Sequence, residues 1–281
     1  MKRFALVLFV LCLSVSAFAT NAEDRKMVEK ASMSYIEGFY EGDAEKLKSC
    51  LIPELNKYGF WKKKGAATYS DAGSMSFEQA LAYANNVKKK KDFAKPGSPK
   101  KVEVLEVSHK IAITKVTAWW GVDYMMLAKN DGKWMIRQIL WEGPTVTSAA
   151  TKSDHMGAKK AGWGYIEGFY QGDASKLKSA LMPKMFKYGY GYNKKTGEYR
   201  NGGQMTYERA IAYANRVKET KNFAKPDAPR KVEVLDVMNR IAAIKVTAWW
   251  GIDYMLLSKT DGKWMIEQVL WSGMPPAPAA K

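Results

Sequence analysis

The chain has 281 residues, room for two ordinary domains with their own cores, and its 47% hydrophobic and 12% aromatic content excludes a disordered polypeptide. Two histidines, two cysteines and no HExxH, Walker or G-x-S-x-G pattern exclude the common zinc, nucleotide and serine-nucleophile classes, and no metal or cofactor is expected. The formal net charge of +17 sits largely in lysine runs such as "WKKK" and "VKKKKDFAKP", which suit either an anionic polymer or a solvated helix end.

The chain opens with Lys2 and Arg3, an apolar run "FALVLFVLCLSVSAF" and "AFA" ending at Ala19, the pattern of a cleaved secretory signal. Residues 1–19 are therefore expected to be removed and the protein to be periplasmic or secreted, with a charge of +15 (17 − 2) and no transmembrane helix in the mature chain. Nucleic acid is not an expected partner for an exported protein. Cleavage leaves Cys50 as the single thiol, with Ala180 at the matching place in the second copy, so Cys50 reads as a small buried apolar residue.

From Tyr35 to Gly143 the sequence repeats without gaps at an offset of 130 (Tyr165 to Gly273), with more than half of the positions identical. Units this long are whole domains, not solenoid repeats. The expected division is 20–143 for the first domain, 144–151 for a linker, 152–273 for the second domain and 274–281 for an unstructured tail.

Within a copy, Met27, Val28, Ala31, Tyr35 and Phe39 follow helical spacing to Gly42. Asp43 caps a second helix expected to stop at Pro53, "KYGFW" reads as a strand, and a polar loop follows. Ser76 and Gln79 form a capping box for a third helix. Four strand runs follow, at 101–107, 111–120, 121–129 and 133–141, the last two joined by an Asp131-Gly132 turn. Helices first and antiparallel strands last give an α+β domain with helices on one sheet face.

"YIEGFYEGD", the proline after the second helix and "VEVLEV…IAITKVTAWWGVDYMMLAKNDGKWMI" together resemble the putative lumazine-binding family of the nuclear transport factor 2-like superfamily, over nearly all of each copy. The resemblance implies two cystatin-like cones, each a curved sheet around helices enclosing a pocket, and pairing of the two domains through their sheets. It also implies a small aromatic or heterocyclic ligand as partner.

Within the repeat from Tyr35 to Gly143, six acidic residues are identical in both copies, and capping, turn or exposed positions account for most. Asp123 and Asp253 are the exceptions. Strict alternation places Trp119, Gly121, Asp123, Met125 and Leu127 on one face, where an acid needs a partner or a proton. In ketosteroid isomerases, a superfamily relative that also serves as a general example of such chemistry, this aspartate acts with a tyrosine of the first helix, which corresponds here to Tyr35 or Tyr40. The isomerases' carboxylate base would fall in "NKYGFW" or "FKYGYG", where neither copy has an acid. Trp134 and Trp141 are expected on opposite faces of the last strand. The candidate ligand-binding residues are Tyr40, Tyr58, Trp119 and Asp123, with Tyr170, Tyr188, Trp249 and Asp253 in the second copy; no catalytic residue is assigned. Three readings stay open: a non-catalytic small-molecule binder, an isomerase- or dehydratase-like enzyme using Asp123 and Asp253, and an envelope interaction module using its basic surface.

Overall fold

The computed structural model describes residues 2–144 and 150–275, with side chains from residue 22 onward. The signal side chains, most of the linker (145–149) and the end of the tail (276–281) lie outside the described residues. The first half runs α1 (Lys2–Glu41), α2 (Ala44–Cys50), β1 (Leu51–Trp61), β2 (Ser70–Met75), α3 (Phe77–Lys90), β3 (Lys101–Val107), β4 (Ile111–Ala118), β5 (Gly121–Asn130) and β6 (Lys133–Gly143). The second repeats it as α4 (Lys152–Tyr170), α5 (Ala174–Ala180), β7 (Leu181–Asn193), β8 (Glu198–Met205), α6 (Tyr207–Glu219), β9 (Lys231–Val237), β10 (Ile241–Ala248), β11 (Gly251–Thr260) and β12 (Lys263–Ser272). Each half is α+β, with helices packed on a six-stranded sheet of order β2-β1-β6-β5-β4-β3 or β8-β7-β12-β11-β10-β9. β1 pairs with β6 in parallel, as β7 does with β12, and the other neighbours are antiparallel. Among the described residues no helix is long and apolar enough to cross a membrane.

Local chemistry sets most boundaries as expected. The Asp43 carboxylate accepts from the Glu45 and Lys46 amides, and Ser76 with Gln79 forms the capping box. Lys88, Lys89 and Lys90 occupy the last turn of α3, where their charge complements the exposed carbonyls. Cys50 is buried, and burial pushes its thiol up to about 12, which keeps it unreactive.

Three expectations fail for identifiable reasons. The second helix ends at Cys50, not Pro53; the chain enters β1 at Leu51, and Pro53 lies where the β1–β6 register is irregular, so its missing N–H interrupts no regular ladder. The polar loop contains β2, a strand of almost wholly exposed residues that carries no apolar alternation to betray it. Trp134 and Trp141 fall on the same face, because the β5–β6 register slips around Arg137 (Met126 opposes Gln138 and Leu127 opposes Ile136) and this bulge reverses the parity of the strand.

Trp134 anchors α1 to the sheet. Its indole N–H donates to Asp24 Oδ1 at 2.9 Å, and Lys129 joins the same oxygen at 2.6 Å. The second half repeats this with Trp264, Lys259 and Asp154, and there Thr151 also closes a capping box onto Asp154. Burial pushes the Asp154 carboxyl upward, but the Lys259 ammonium and the Thr151 and Trp264 donors outweigh it and hold it well below the usual carboxylate range. A depressed folded pKa contributes stability above the unfolded value, near 4, that is lost as pH falls toward the folded value. Asp154→Asn is therefore expected to cost about 2 kcal/mol at pH 7 and progressively less below about pH 4, read from urea unfolding at a series of pH values.

The central strands β4, β5 and β6 are apolar on both faces, which a sheet covered on only one side would not be. One face meets the helices through Val104, Ala112, Val116, Met125, Leu127, Ile136 and Ile139. The other presents Ile111, Ile113, Tyr124, Met126, Ala128 and Leu140 to Ile241, Ala243, Tyr254, Leu256 and Leu270 of the second half. The halves thus pack sheet against sheet, as the resemblance implied. Gln138 Nε2 donates to Phe186 O and Val269 O, both at 3.2 Å, and Gln268 Nε2 donates to Ile139 O at 2.9 Å. Lys115 pairs with Asp236 at 2.6 Å, mirrored by Lys245 with Glu106.

Candidate functional site

In each half a pocket lies between the first helix, the third helix, the outer strands and the turn made by the paired tryptophans. Trp119 and Trp120 are not strand residues: they form the turn between β4 and β5. Gly121 closes it with φ of 144°, and a Cβ there would come 2.0 Å from Glu142 O, so only glycine fits. The turn breaks the alternation expected through residues 119–121. Trp120 folds under onto Tyr35, Phe39 and Tyr40, with ring centroids 6.1, 5.7 and 5.7 Å away, on the same side as Asp123. Trp119 remains 52% exposed at the pocket rim.

The first pocket has a volume of about 160 Å³ and is lined by Tyr35, Phe39, Lys57, Met75, Tyr83, Trp119, Trp120 and Trp141. Trp141 crosses β1 at Gly59, where a Cβ would lie 2.2 Å from its indole. The polar group in this aromatic cup is Lys57, alternating inward on β1 while Tyr58 points outward. Lys57 Nζ donates to Tyr35 Oη at 2.8 Å and faces Asp123 Oδ1 at 3.8 Å. Asp123 lies behind the lysine and does not line the pocket; its Oδ2 accepts from Trp120 Nε1 at 3.0 Å, and its Oδ1 accepts no hydrogen bond among the described residues. The second half tightens the same set: Lys187 Nζ is 3.1 Å from Asp253 Oδ1 and donates to Tyr165 Oη, and Trp250 Nε1 donates to Asp253 Oδ2 at 2.7 Å.

Burial governs the protonation of this cluster. It lowers the proton affinity of the Lys57 and Lys187 amines, against the pull of Asp123 and Asp253. It raises the Asp123 carboxyl, opposed by Lys57 and the Trp120 N–H. Burial, reinforced by the neighbouring aspartates, lifts the Tyr35 and Tyr165 phenols well above their ordinary value, so both stay protonated. The hydrogen-bond donor available at the pocket floor is the lysine amine, since the Tyr165 phenol already donates to Asp253. No carboxylate lines either of these two pockets.

The structure brings Trp119 and Trp249 to the pockets and separates the other candidates from them. Asp123 and Asp253 support the lysines from behind. Tyr40, expected beside Asp123, instead donates to Pro99 O and accepts from the Trp119 amide at 2.8 Å; Tyr170 does the same with Pro229 O and the Trp249 amide. These tyrosines brace the tryptophan turn. Tyr58 and Tyr188 fall on the face between the halves: Tyr58 bonds Asp71 beneath the Lys184 ammonium, and the Arg137 guanidinium lies 3.8 Å from the Tyr188 ring centroid. Sequence reasoning missed Lys57 and Lys187, although each stands in the stretch searched for a carboxylate base and recurs in both copies.

The second pocket is larger, about 270 Å³, and extends along β8 past Gly202, Gly203 and Gln204 to Arg209. Among the described residues no group of three or more histidine, cysteine or acidic side chains could hold a metal ion.

A family model described as "Putative lumazine-binding" matches residues 23–142 and again 153–272. No curated protein matches the chain. Solved structures resemble one half at a time. An NTF2-like protein of unknown function from Silicibacter pomeroyi is 21% identical, with 44% of this chain and 100% of that chain covered and a TM-score of 0.34. One from Methylobacillus flagellatus is 18% identical over 44% and 95% of the two chains, with a TM-score of 0.34. A third, an NTF2-like superfamily protein from Salmonella enterica serovar Typhimurium, is 14% identical over 45% and 95%, with a TM-score of 0.30. Two helix-on-sheet halves, each with a lysine-floored aromatic pocket, and two family matches spanning most of the chain give one conclusion: the protein belongs to the family described as putative lumazine-binding, as a tandem pair.

Proposed function

We propose that the protein is an exported, non-catalytic binder of small flat ligands, one in each half. The observation that carries this reading is the pocket itself: an aromatic cup with a single buried amine at its floor, recurring in both halves. A planar heterocycle would stack on the tryptophan turn while a ring carbonyl or ring nitrogen accepts from the lysine. The family description, which names a lumazine, fits such a molecule. The isomerase-like reading is disfavoured because Asp123 is spent on Trp120 and Lys57 and turns no carboxylate to the cavity. The lysines at the end of α3 are explained by the helix terminus they cap and require no polymer partner. Export rests on the N-terminal pattern, and mass spectrometry of the cell-derived protein is expected to find it beginning at Thr20.

Incubation with a mixture of aromatic heterocycles, followed by native mass spectrometry, is expected to retain a ligand at up to two per chain. Trp119→Ala and Trp249→Ala, at exposed rim positions with little bearing on stability, are each expected to weaken binding in their own half about three- to tenfold. Retention of nothing from the mixture, or retention untouched by both substitutions, would sink the reading.

A further inference from the structure

The two pockets share their floor but differ in their walls. In the first, Trp61 packs on Trp141 with centroids 6.3 Å apart, whereas Gly191 stands at the matching position of the second. Ala72 likewise becomes Gly202, and a Cβ at Gly202 would lie 2.9 Å from Trp271 Cζ2, so this glycine yields room to the ring. The cavity grows from about 160 to about 270 Å³.

The third difference is chemical. Gln79 of the first half accepts from the Ser76 amide and completes the capping box of α3, and it does not line the first pocket. Its counterpart Arg209 forms no such reciprocal bond. Its guanidinium instead donates to Gln204 O at 3.1 Å, lines the second pocket and makes no ion pair among the described residues. Where the first half has a helix-capping bond the second has a cation at the pocket mouth, and its pocket carries both a lysine and an arginine, with no acid lining it.

We propose that the second pocket selects a larger, planar anion, an aromatic or heterocyclic acid whose carboxylate or phosphate is taken by Arg209 while its ring lies between Trp249 and Trp271 over Lys187. The first pocket, smaller and without the arginine, takes a flat ligand without regard to such a group. This inference rests on the pocket reading above and assigns the ligand class of one of its two sites.

The test uses the whole purified chain and a matched pair of probes, naphthalene-2-carboxylate and its neutral amide, naphthalene-2-carboxamide, in calorimetric titrations. The acid is expected to bind one tight site per chain, about tenfold tighter than the amide binds there at low salt, with the preference shrinking in 0.5 M salt. Arg209→Gln, which copies the first half, is expected to reduce the acid-to-amide ratio about fivefold, the effect of an exposed charge-assisted contact. Two equal acid sites per chain, equal affinities for acid and amide, or a ratio unmoved by Arg209→Gln would each overturn the anion selectivity while leaving the pocket reading in place. Failure of both probes to bind while the heterocycle mixture is still retained would overturn the anion reading alone; only an empty result with the mixture as well would overturn both.

Discussion

Lys187→Met is expected to destabilise the protein by about 3–5 kcal/mol in urea unfolding at pH 7, the largest effect of any single substitution at the pocket floors. Lys187 and Asp253 are both buried, 3.1 Å apart, and the aspartate's other contacts are the Trp250 N–H and Tyr165. Removing the ammonium leaves a fully buried carboxylate without its cation, and the penalty is that of the stranded charge more than of the lost attraction. Lys187→Met combined with Asp253→Asn is therefore expected to recover more than half of the loss. The corresponding pair in the first half is looser, at 3.8 Å, so Lys57→Met is expected to cost less than Lys187→Met. A cost below about 1 kcal/mol at position 187, or a double variant no better than the single, would show that the pair is not held as an ion pair. The same variants read on ligand binding separate support from contact: the lysine touches the pocket and the aspartate does not.

The second large effect is expected between the halves. Leu140 and Leu270 occupy matching positions on β6 and β12, both are fully buried, and both belong to the cluster shared by the two sheets. Leu140→Ala and Leu270→Ala are each expected to cost about 2–5 kcal/mol, from lost apolar burial plus the cavity left in a face that neither sheet can close alone. Each substitution should also lower the unfolding midpoint of both halves together, since the interface belongs to both. Two separate transitions, with only the substituted half affected, would show that the sheet faces contribute little to each other.

Much of this architecture is legible in the residues. Asp43, Ser76 with Gln79, and Asp131-Gly132 state their caps and turn directly, because each rests on a local hydrogen bond or a positive φ that neighbouring sequence determines. The duplication gives the two halves, and the family resemblance implies the pairing of their sheets. What escapes is set by tertiary geometry. The bulge around Arg137 has no sequence signal, yet it moves Trp141 from the expected face to the pocket wall. The tryptophan turn defeats alternation because Trp119 and Trp120 look like strand residues, and only the Gly121 conformation marks the break. Lys57 is missed for a chemical reason: a search for an acid passes over the base that stands in its place. The retention of this lysine as Lys187 in the second copy is the signal that was available.

The reciprocal reach of Gln138 and Gln268 across the sheet faces has a consequence for divergence. A single cone with such a face would have to meet a second copy of itself, and each change would then appear on both sides of the contact. Joined by residues 144–151, the two halves meet at a high effective concentration and a fixed one-to-one stoichiometry, whatever the level of expression. The contact has already become one-sided: Glu142 accepts from the Arg240 and Ile241 amides at 2.7 and 3.0 Å, while its counterpart in the second half is Ser272. Fusion thus frees each cone from being its own partner, and one half can change its walls while the other keeps its own.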